Sequence, residues 1–561
     1  MEPLTSPQSV PMRSPQMVMK LERMGCFHQS RLSFMRALLR KLKHDHWQFE
    51  RTRWEIDQKG VGVAVYRARG PEHDYSLVCF SHDLPPEKRS DRVIADQWDA
   101  TFALFDGEPR DQDIDRLASV VPLQEAGQCS QRELVLSRAN RSVRLFDHVV
   151  KRLADGHQPD LGMVQQVGYL MRTTAVYGNG KFGLCDRERI ADRSEFSNAF
   201  RAELLAVWLI RWFTVDIAEH LAKMQNPDQA VSMDPAIRRQ LGVGNSTGLG
   251  MAPFLGTHPS LLHTWINARE TALMRVRSLS VASSEEARAF EQIAQRMRLS
   301  LETWHTADPR QASRIEGLKR DIDLLEQRLI TWPGDSSFPW HQLIVWSESE
   351  LTIEGQELLV SMVIEPHGAL VDDLAEQMAV DESAYQGIDG SMTVEKTMQL
   401  IKLHYQWALD TDFDEHDACA RFWYVSEEKL EPRLGERFEE SGAEKEQPLA
   451  FARDIKSFFR QLESSEANDS LARFLMLYPE HRGAARRVQL VNRLPYAEIR
   501  DNLIGSEMVP VDLLRCKLSF FGANKFDPRS DRWVRITMYQ DAPFPDEFDS
   551  AAPDDWVFPH L

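Results

Sequence analysis

LGVGNSTGLGMAPFLGTHPSLLHTW, residues 241–265, is the most unusual stretch of the chain, with four glycines within nine residues before an amphipathic run. Glycine permits positive φ and a close approach of the backbone to a ligand. The polar residues among these glycines are good helix N-caps. The pattern therefore predicts a helix that begins near Thr247 or Gly248, with free N–H groups and a positive dipole end facing whatever lies before it.

A helix start of this kind readily binds a phosphate or carboxylate group. The stretch lacks the lysine of a P-loop, and no clear strand of a βαβ unit precedes it, so neither nucleotide-binding fingerprint applies. A glycine-rich corner that lets helices pack closely is the alternative interpretation. If the stretch binds a ligand, the substrate-binding residues are Gly244, Asn245, Ser246, Thr247 and Gly248.

A second polar, glycine-rich stretch is MRTTAVYGNGKFGLCDRER, residues 171–189. Its Asn-Gly pair predicts a tight hairpin, and an arginine beside the hairpin can bind a carboxylate or phosphate with two N–H groups. A surface hairpin with polar residues that face water is the alternative. The substrate-binding residues expected here are Arg172, Thr173 and Asn179.

Three residues of these stretches are the expected catalytic groups: Tyr177, Lys181 and His258. Tyr177 or His258 would transfer a proton, since a positioned side chain of either type can act as an acid or a base. Lys181 would add a positive point charge. The hypothesis requires the two stretches to meet in space, because side chains that start more than about 15 Å apart cannot converge on one ligand.

Composition restricts the class of protein. The chain has 561 residues, of which 42% are hydrophobic and 27% charged, as is usual for globular proteins. Its formal net charge of −18 repels nucleic-acid phosphates and anionic membranes, so we expect neither as a partner. The six cysteines are scattered, without the clustering that a zinc site or a disulfide scaffold needs. We expect a cytoplasmic protein that uses neither a metal nor a cofactor.

The hydrophobic pattern predicts an α+β fold that is predominantly helical. Strands are expected over residues 60–70, 75–84, 98–107 and 533–541, with strand-like stretches in 351–368. Helices are expected over residues 28–43, 132–154, 161–174, 195–224, 259–279, 284–305, 312–332, 393–407 and 448–462. The run LLAVWLI within the fourth helix is shorter than the roughly 20 apolar residues of a membrane span, so we expect it to be buried.

Five segments organise the chain in this interpretation. They are a disordered leader (1–22), an α+β domain with a small antiparallel sheet (23–130), a helical domain with the candidate site (131–335), a mixed α+β part (336–540) and an acidic, proline-rich tail laid on the surface (541–561).

Two functions from different classes fit these observations. One is an enzyme, of lyase, isomerase or hydrolase type, that acts by acid–base chemistry on a small phosphorylated or carboxylate metabolite. The other is a non-catalytic interaction or scaffold protein. A pocket between two polar, glycine-rich loops favours the enzyme. A homodimer is compatible with the size of the chain.

Overall fold

The structure is a computed structural model. It describes residues 10–85, 97–122, 130–174, 190, 192–248, 259–304, 306–333, 337–378, 387–413, 423–426, 432–434, 443–445, 447–501, 512, 514–528 and 533–552.

The described residues form an α+β fold that is predominantly helical, as predicted. A nine-stranded sheet has the order β1-β2-β3-β4-β5-β6-β7-β12-β11, and a small sheet has the order β10-β8-β9. The strands are β1 (Gln48–Ile56), β2 (Gly62–Arg69), β3 (Asp74–Ser81), β4 (Ala100–Asp106), β5 (Glu133–Arg141), β6 (Tyr169–Thr173), β7 (Gly242–Gly248), β8 (Trp423–Ser426), β9 (Pro432–Leu434), β10 (Ala443–Lys445), β11 (Asn524–Pro528) and β12 (Trp533–Met538).

Helices make up most of the remaining regular structure. They are α1 (Pro15–Val18), α2 (Leu21–Met24), α3 (Phe34–His44), α4 (Asp111–Val120), α5 (Phe146–Ala154), α6 (Leu161–Val167), α7 (Arg201–Gln225), α8 (Pro235–Arg239), α9 (Pro259–Arg277), α10 (Ser284–Thr303), α11 (Pro309–Leu329), α12 (Pro339–Glu350), α13 (Ile353–Ile364), α14 (Gly368–Val371), α15 (Asp373–Glu376), α16 (Val394–Asp410), α17 (Gln447–Glu463), α18 (Leu471–Leu477), α19 (Arg482–Arg493) and α20 (Arg515–Phe521). Short 3₁₀ turns lie at Ser194–Phe196, Glu365–His367, Pro479–His481 and Pro545–Glu547.

One pair of strands in the large sheet differs from the rest. β6 and β7 are parallel, whereas every other described pair of neighbours in that sheet is antiparallel. Two parallel neighbours need a crossover connection. The long helix α7 lies between them in the chain, so β6, α7 and β7 form a βαβ unit.

Helix α7 covers one face of the large sheet. Its apolar centre is fully buried, as predicted for LLAVWLI. Phe213 packs edge-on against Phe102 of β4, with ring centroids 5.5 Å apart, and Trp212 packs against Tyr66 of β2 at 4.9 Å. The opposite face carries a smaller apolar cluster between β2–β5 and the buried side of α4.

A second core lies in the C-terminal half of the chain. Buried side chains of α16, α17, α18 and α19 pack against one another there, separately from the main core. The large sheet takes its strands from three of the expected segments, 23–130, 131–335 and 336–540. The boundaries between those segments stay a prediction.

Three predicted elements were wrong. Residues 132–154 are not one helix but strand β5 followed by α5, and residues 161–174 divide into α6 and β6. The strand-like stretch in 351–368 is helix α13, whose residues are buried all round. A helix that is buried on every side shows little 3.6-residue alternation between apolar and polar residues, and its sequence therefore resembles that of a buried strand.

Both ends of the described chain are packed rather than free. The expected disordered leader does not hold for residues 10–22, because Val18, Met19 and Leu21 are buried in the main core. The expected surface tail does not hold for residues 541–548, where the carbonyl of Pro543 accepts a 2.9 Å hydrogen bond from Trp208 and Phe544 is fully buried. Residues 1–9 and 553–561 lie outside the described chain.

Candidate functional site

The glycine-rich stretch is a strand up to Gly248, so the predicted helix start at Thr247 or Gly248 was wrong. The backbone of β7 pairs with β6 on one side and with β12 on the other. Two flanking strands use the N–H groups that a helix start would have left free. Val243 of β7 belongs to the main core, together with apolar side chains of β6 and β12.

The two stretches that were expected to form one site do meet. Arg172 of β6 is the register partner of Gly244 of β7. Neighbouring strands lie about 4.8 Å apart, far inside the 15 Å limit. Because β6 and β7 are parallel, their carboxyl ends reach the same edge of the sheet. Ligands commonly bind at that edge in sheets with parallel strands.

Strand register places three arginines on one face of the sheet. Arg172 is opposite Asn140, which shares a face with Arg138 two residues earlier on β5. On the other side of β7, Arg535 of β12 is opposite Ser246, which shares a face with Gly244. Side chains two residues apart on a strand lie on the same face. We call Arg138, Arg172 and Arg535 with Gly242 and Gly244 the arginine face.

The arginine face is opposite the face that α7 covers. Ala139, next to Arg138, belongs to the main core, and Phe102, which touches α7, is the partner of Ser137. Alternate residues of a strand point to opposite faces, so Arg138 points away from α7. The arginine face thus continues the face on which α4 packs, beyond the apolar cluster.

Of the three arginines, Arg138 has a close ring contact and a shifted pKa. Its guanidinium carbon lies 4.0 Å from the centre of the Trp98 ring, within the range of a cation–π contact. Burial lowers the pKa of Arg138 to about 10. A partly desolvated guanidinium is stabilised by an approaching anion, because the anion replaces the charge compensation that water gave.

Two expected substrate-binding residues, Thr173 and Asn245, lie on the face of the sheet opposite the arginine face. Asn245 is almost fully buried, and its side-chain amide donates a 3.1 Å hydrogen bond to the carbonyl oxygen of Thr173. The hydroxyl of Thr173 lies 2.6 Å from that of Ser137, on the α7 side. These contacts link β6 to β7 on the face of the sheet that α7 covers, whereas Arg172 lies on the opposite face, the arginine face.

Close packing explains why residues 242 and 244 of β7 are glycines. A Cβ atom at Gly244 would lie 2.7 Å from the ring of Tyr169, and one at Gly242 would lie 2.3 Å from the carbonyl oxygen of Met538. Both distances are too short for real contacts. Close packing therefore requires glycine at both positions, but the neighbours are residues of β6 and of β12 and its end rather than of packed helices.

Sequence reasoning missed Arg138, Arg535 and a histidine beside them. His82, just after β3, has its Nε2 2.9 Å from the hydroxyl of Thr101, the register partner of Arg138. Burial lowers the pKa of His82, so the ring is neutral near pH 7. In ELVLSRANR, residues 133–141, alternate side chains point to opposite faces of the sheet, and a strand prediction would have placed Arg138 on the same face as Asn140. The helix predicted over 132–154 concealed this alternation.

Four expected site residues cannot be placed. Tyr177, Asn179 and Lys181 follow β6, and His258 precedes α9, and all four lie outside the described residues. The description of Ser246, Thr247 and Gly248 covers their backbone in β7.

A separate open pocket of 360 Å³ lies between β1 and the last turns of α7. Its polar side chains already bind one another: Asp216 accepts hydrogen bonds from Arg51 at 2.8 Å and Tyr66 at 2.7 Å. His220 uses both ring nitrogens, towards Trp54 and the carbonyl of Asp57. Within the described chain, no three His, Cys, Asp or Glu side chains are grouped so that they could hold a metal ion.

A buried ion network lies away from the sheet edge. Arg13 donates to Glu270 at 2.7 and 2.8 Å and to Glu357 at 2.8 Å, and Glu357 also accepts from Arg269 at 2.7 Å and Arg23 at 2.6 Å. We call these five residues the core ion network. It ties the N-terminal segment to α9 and α13.

The described part of the chain contains no helix that is both long and apolar enough to cross a membrane. Comparisons with protein families, with curated proteins and with solved structures gave no match.

Proposed function

We propose that this chain binds a small phosphorylated or carboxylate metabolite on the arginine face and acts on it by acid–base chemistry. The observation that carries the proposal is the parallel β6–β7 pair, in which Arg172, near the carboxyl end of β6, is opposite Gly244 of β7. Arg138 and Arg535 stand on the flanking strands of the same face.

Charge supports an anionic ligand. Guanidinium groups remain charged and bind carboxylate or phosphate oxygens with two parallel N–H bonds. Three guanidinium groups lie on one face of the sheet, in a chain whose net charge is −18.

The binding test is a thermal-shift screen of the full chain with inorganic phosphate, pyrophosphate, phosphorylated metabolites and carboxylates. A ligand at a hundred times its dissociation constant adds about 2.7 kcal/mol of stability, which raises the melting temperature. We expect the wild type and Arg69→Ala to show the shift and Arg172→Ala to lose it. Arg69 is the matched control because it is an exposed arginine of the same sheet, on β2.

A shift that persists unchanged in Arg172→Ala would place the ligand elsewhere and overturn the proposal. If no anion shifts the wild type, the interaction-protein hypothesis takes its place. Circular dichroism of each variant confirms that a lost shift is not a lost fold.

Acid–base chemistry has a test of its own. The ligand found in the screen is incubated with the protein in D₂O, and deuterium exchange or product formation is followed by NMR. Removal of an acid or base lowers such a rate by about 10²–10⁴-fold. We expect that loss in at least one of Tyr177→Phe, Lys181→Gln, His258→Gln and His82→Gln. Binding without any exchange or turnover in the wild type would leave a binding protein.

A further inference from the structure

The open pocket between β1 and α7 is lined by charged side chains that share one face of the helix. Glu219 lies three residues after Asp216, and Lys223 lies four residues after Glu219, which is the spacing of neighbours on a helix surface. Arg51 of β1 lines the same pocket from the sheet. The volume of 360 Å³ is at the lower end of the range for small-molecule sites.

The bonds within the pocket leave one oxygen of Asp216 without a donor. Arg51 and Tyr66 both donate to Oδ2, and no residue in the described part of the chain donates to Oδ1. The carboxyl side chain is only 12% exposed, and burial raises its pKa above the ordinary value. A cationic group at Oδ1 would compensate the charge that burial disfavours.

Lys223 is the second group of the pocket that has no partner. On a helix, the usual partner of this lysine would be Glu219, four residues earlier. Glu219 is instead bound by the backbone N–H of Met233, which donates to its Oε1 at 2.8 Å. Lys223 is exposed, and its ammonium forms no ion pair with any residue that the structure describes.

The walls of the pocket are held in place by hydrogen bonds. The Nε2 of His220 donates to the carbonyl of Asp57 at 2.9 Å, and its Nδ1 accepts from the indole N–H of Trp54 at 3.3 Å. The segment after α7 folds back along the helix, where the N–H of Val231 donates to the carbonyl of Leu153 at 3.0 Å. A site that is formed before the ligand arrives loses less free energy to ordering on binding.

The formal charges of the pocket balance. Arg51 and Lys223 contribute +2, and Asp216 and Glu219 contribute −2, so the sum is zero. A ligand with only a cationic group would be repelled by Lys223, and a ligand with only an anionic group would be repelled by the two carboxylates. The backbone of Lys223 lies two turns, or about 10.5 Å along the helix axis, after that of Asp216. A ligand that contacts both therefore needs charges that are several bonds apart.

We propose that this pocket binds a small zwitterionic amino acid, with its ammonium at Oδ1 of Asp216 and its carboxylate at Lys223. Several carbon atoms separate the two groups of the ligand, as in γ-aminobutyrate and 5-aminopentanoate. The pocket lies on the face of the sheet that α7 covers, opposite the arginine face, so the inference does not depend on the proposed function.

Calorimetric titration of the full chain tests the inference with ligands that lack one charge each. γ-Aminobutyrate is compared with butyrate and butylamine, and 5-aminopentanoate with pentanoate and pentylamine. We expect at least one zwitterion to bind about tenfold to hundredfold more tightly than its matching acid and amine, the usual effect of one hydrogen-bonded charge. Equal affinities within both series, or no binding of either zwitterion by the folded wild type, would overturn the proposal.

Variants locate the two ends of the ligand. Asp216→Asn keeps one accepting oxygen and should lower the affinity for the zwitterion to that for the matching acid. Lys223→Gln, at an exposed position, should lower it to that for the matching amine. Lys396→Gln, which replaces an exposed lysine of α16, and Arg172→Ala should leave it unchanged.

Circular dichroism of each variant separates loss of binding from loss of the fold. If Asp216→Asn does not fold, Lys223→Gln alone decides between the outcomes. Undiminished affinity for the zwitterion in the folded pocket variants would overturn the proposal.

Discussion

Arg13 of the core ion network and Arg138 of the arginine face have pKa values that are shifted in opposite directions. In the core ion network, burial alone would lower the pKa of Arg13, but Glu270 and Glu357 raise it well above its ordinary value. On the arginine face, burial lowers the pKa of Arg138 to about 10. The core ion network carries its counter-charges within the fold and acts as structure. For Arg138, burial is the cause of the shift in pKa.

The largest expected effect is in the core ion network. Glu357→Ala removes the carboxylate that Arg13, Arg23 and Arg269 share. Breaking a buried ion pair from one side costs about 3–5 kcal/mol, since uncompensated charge stays buried. Urea unfolding should show this loss. The control Glu316→Ala breaks an exposed pair with Lys319 and should change stability by less than about 1 kcal/mol. Equal losses of stability in the two variants would mean that the buried ion network stabilises the fold no more than an exposed ion pair does.

Replacement of a glycine under the arginine face comes next. Gly244→Ala places a methyl group 2.7 Å from the Tyr169 ring, and such overpacking costs about 1–3 kcal/mol. Gly483→Ala in helix α19 meets no atom within 4 Å and should stabilise the chain by up to about 1 kcal/mol. Melting temperatures should therefore move in opposite directions. A neutral Gly244→Ala would mean that the glycine serves access alone.

Low pH should destabilise the core ion network through the protonation of Glu357. Burial would raise the pKa of Glu357, but Arg13, Arg269 and Arg23 hold it well below its ordinary value of 4.5. Its contribution to stability is complete above pH 4.5 and declines as pH falls below that value, because the unfolded chain then binds a proton that the fold does not. The slope is about 1.4 kcal/mol per pH unit for each such carboxyl. Unfolding free energies between pH 3 and 7 should show a shallower acid decline in Glu357→Gln.

The smallest effect on stability is expected on the arginine face itself. Arg172→Ala should change the free energy of unfolding by less than Glu357→Ala does, because Arg172 is half-buried and does not belong to the core ion network. The same variant should abolish stabilisation by the anion. A loss near that of Glu357→Ala would show that Arg172 is structural, and the contrast between the two groups of arginines would disappear.

Much of the fold was predictable because local patterns agreed with the packing. The alternation in residues 60–70 and 75–84 predicted β2 and β3, and the apolar run of α7 predicted a buried helix. Helices α9, α10 and α11 also begin and end near their predicted bounds. In each case the element buries apolar side chains, and the sequence shows them directly.

The remainder depended on partners far away in the chain. β7 has little strand propensity of its own and is a strand because β6 and β12 flank it. The arginine face followed only once β5 and β6 were known to be strands, since a helix would scatter Arg138 and Arg172. The sequence predicted that Arg172 and Gly244 lie close together, and they are register partners, but Gly244 lies in a strand and not before a helix start.

The pairing of β7 with β12 also sets a condition on synthesis. Val243 is paired with Met538, 295 residues later in the chain. At about 5–20 residues per second, the ribosome needs about 15–60 s to supply that partner, and β7 has one open edge in the meantime. Open edges recruit strands from other chains, most of all when they are long and apolar. Three of the seven residues of GVGNSTG are glycine, three are polar and one is valine. The open edge of β7 in a newly made chain therefore has few apolar side chains that a neighbouring chain could bind.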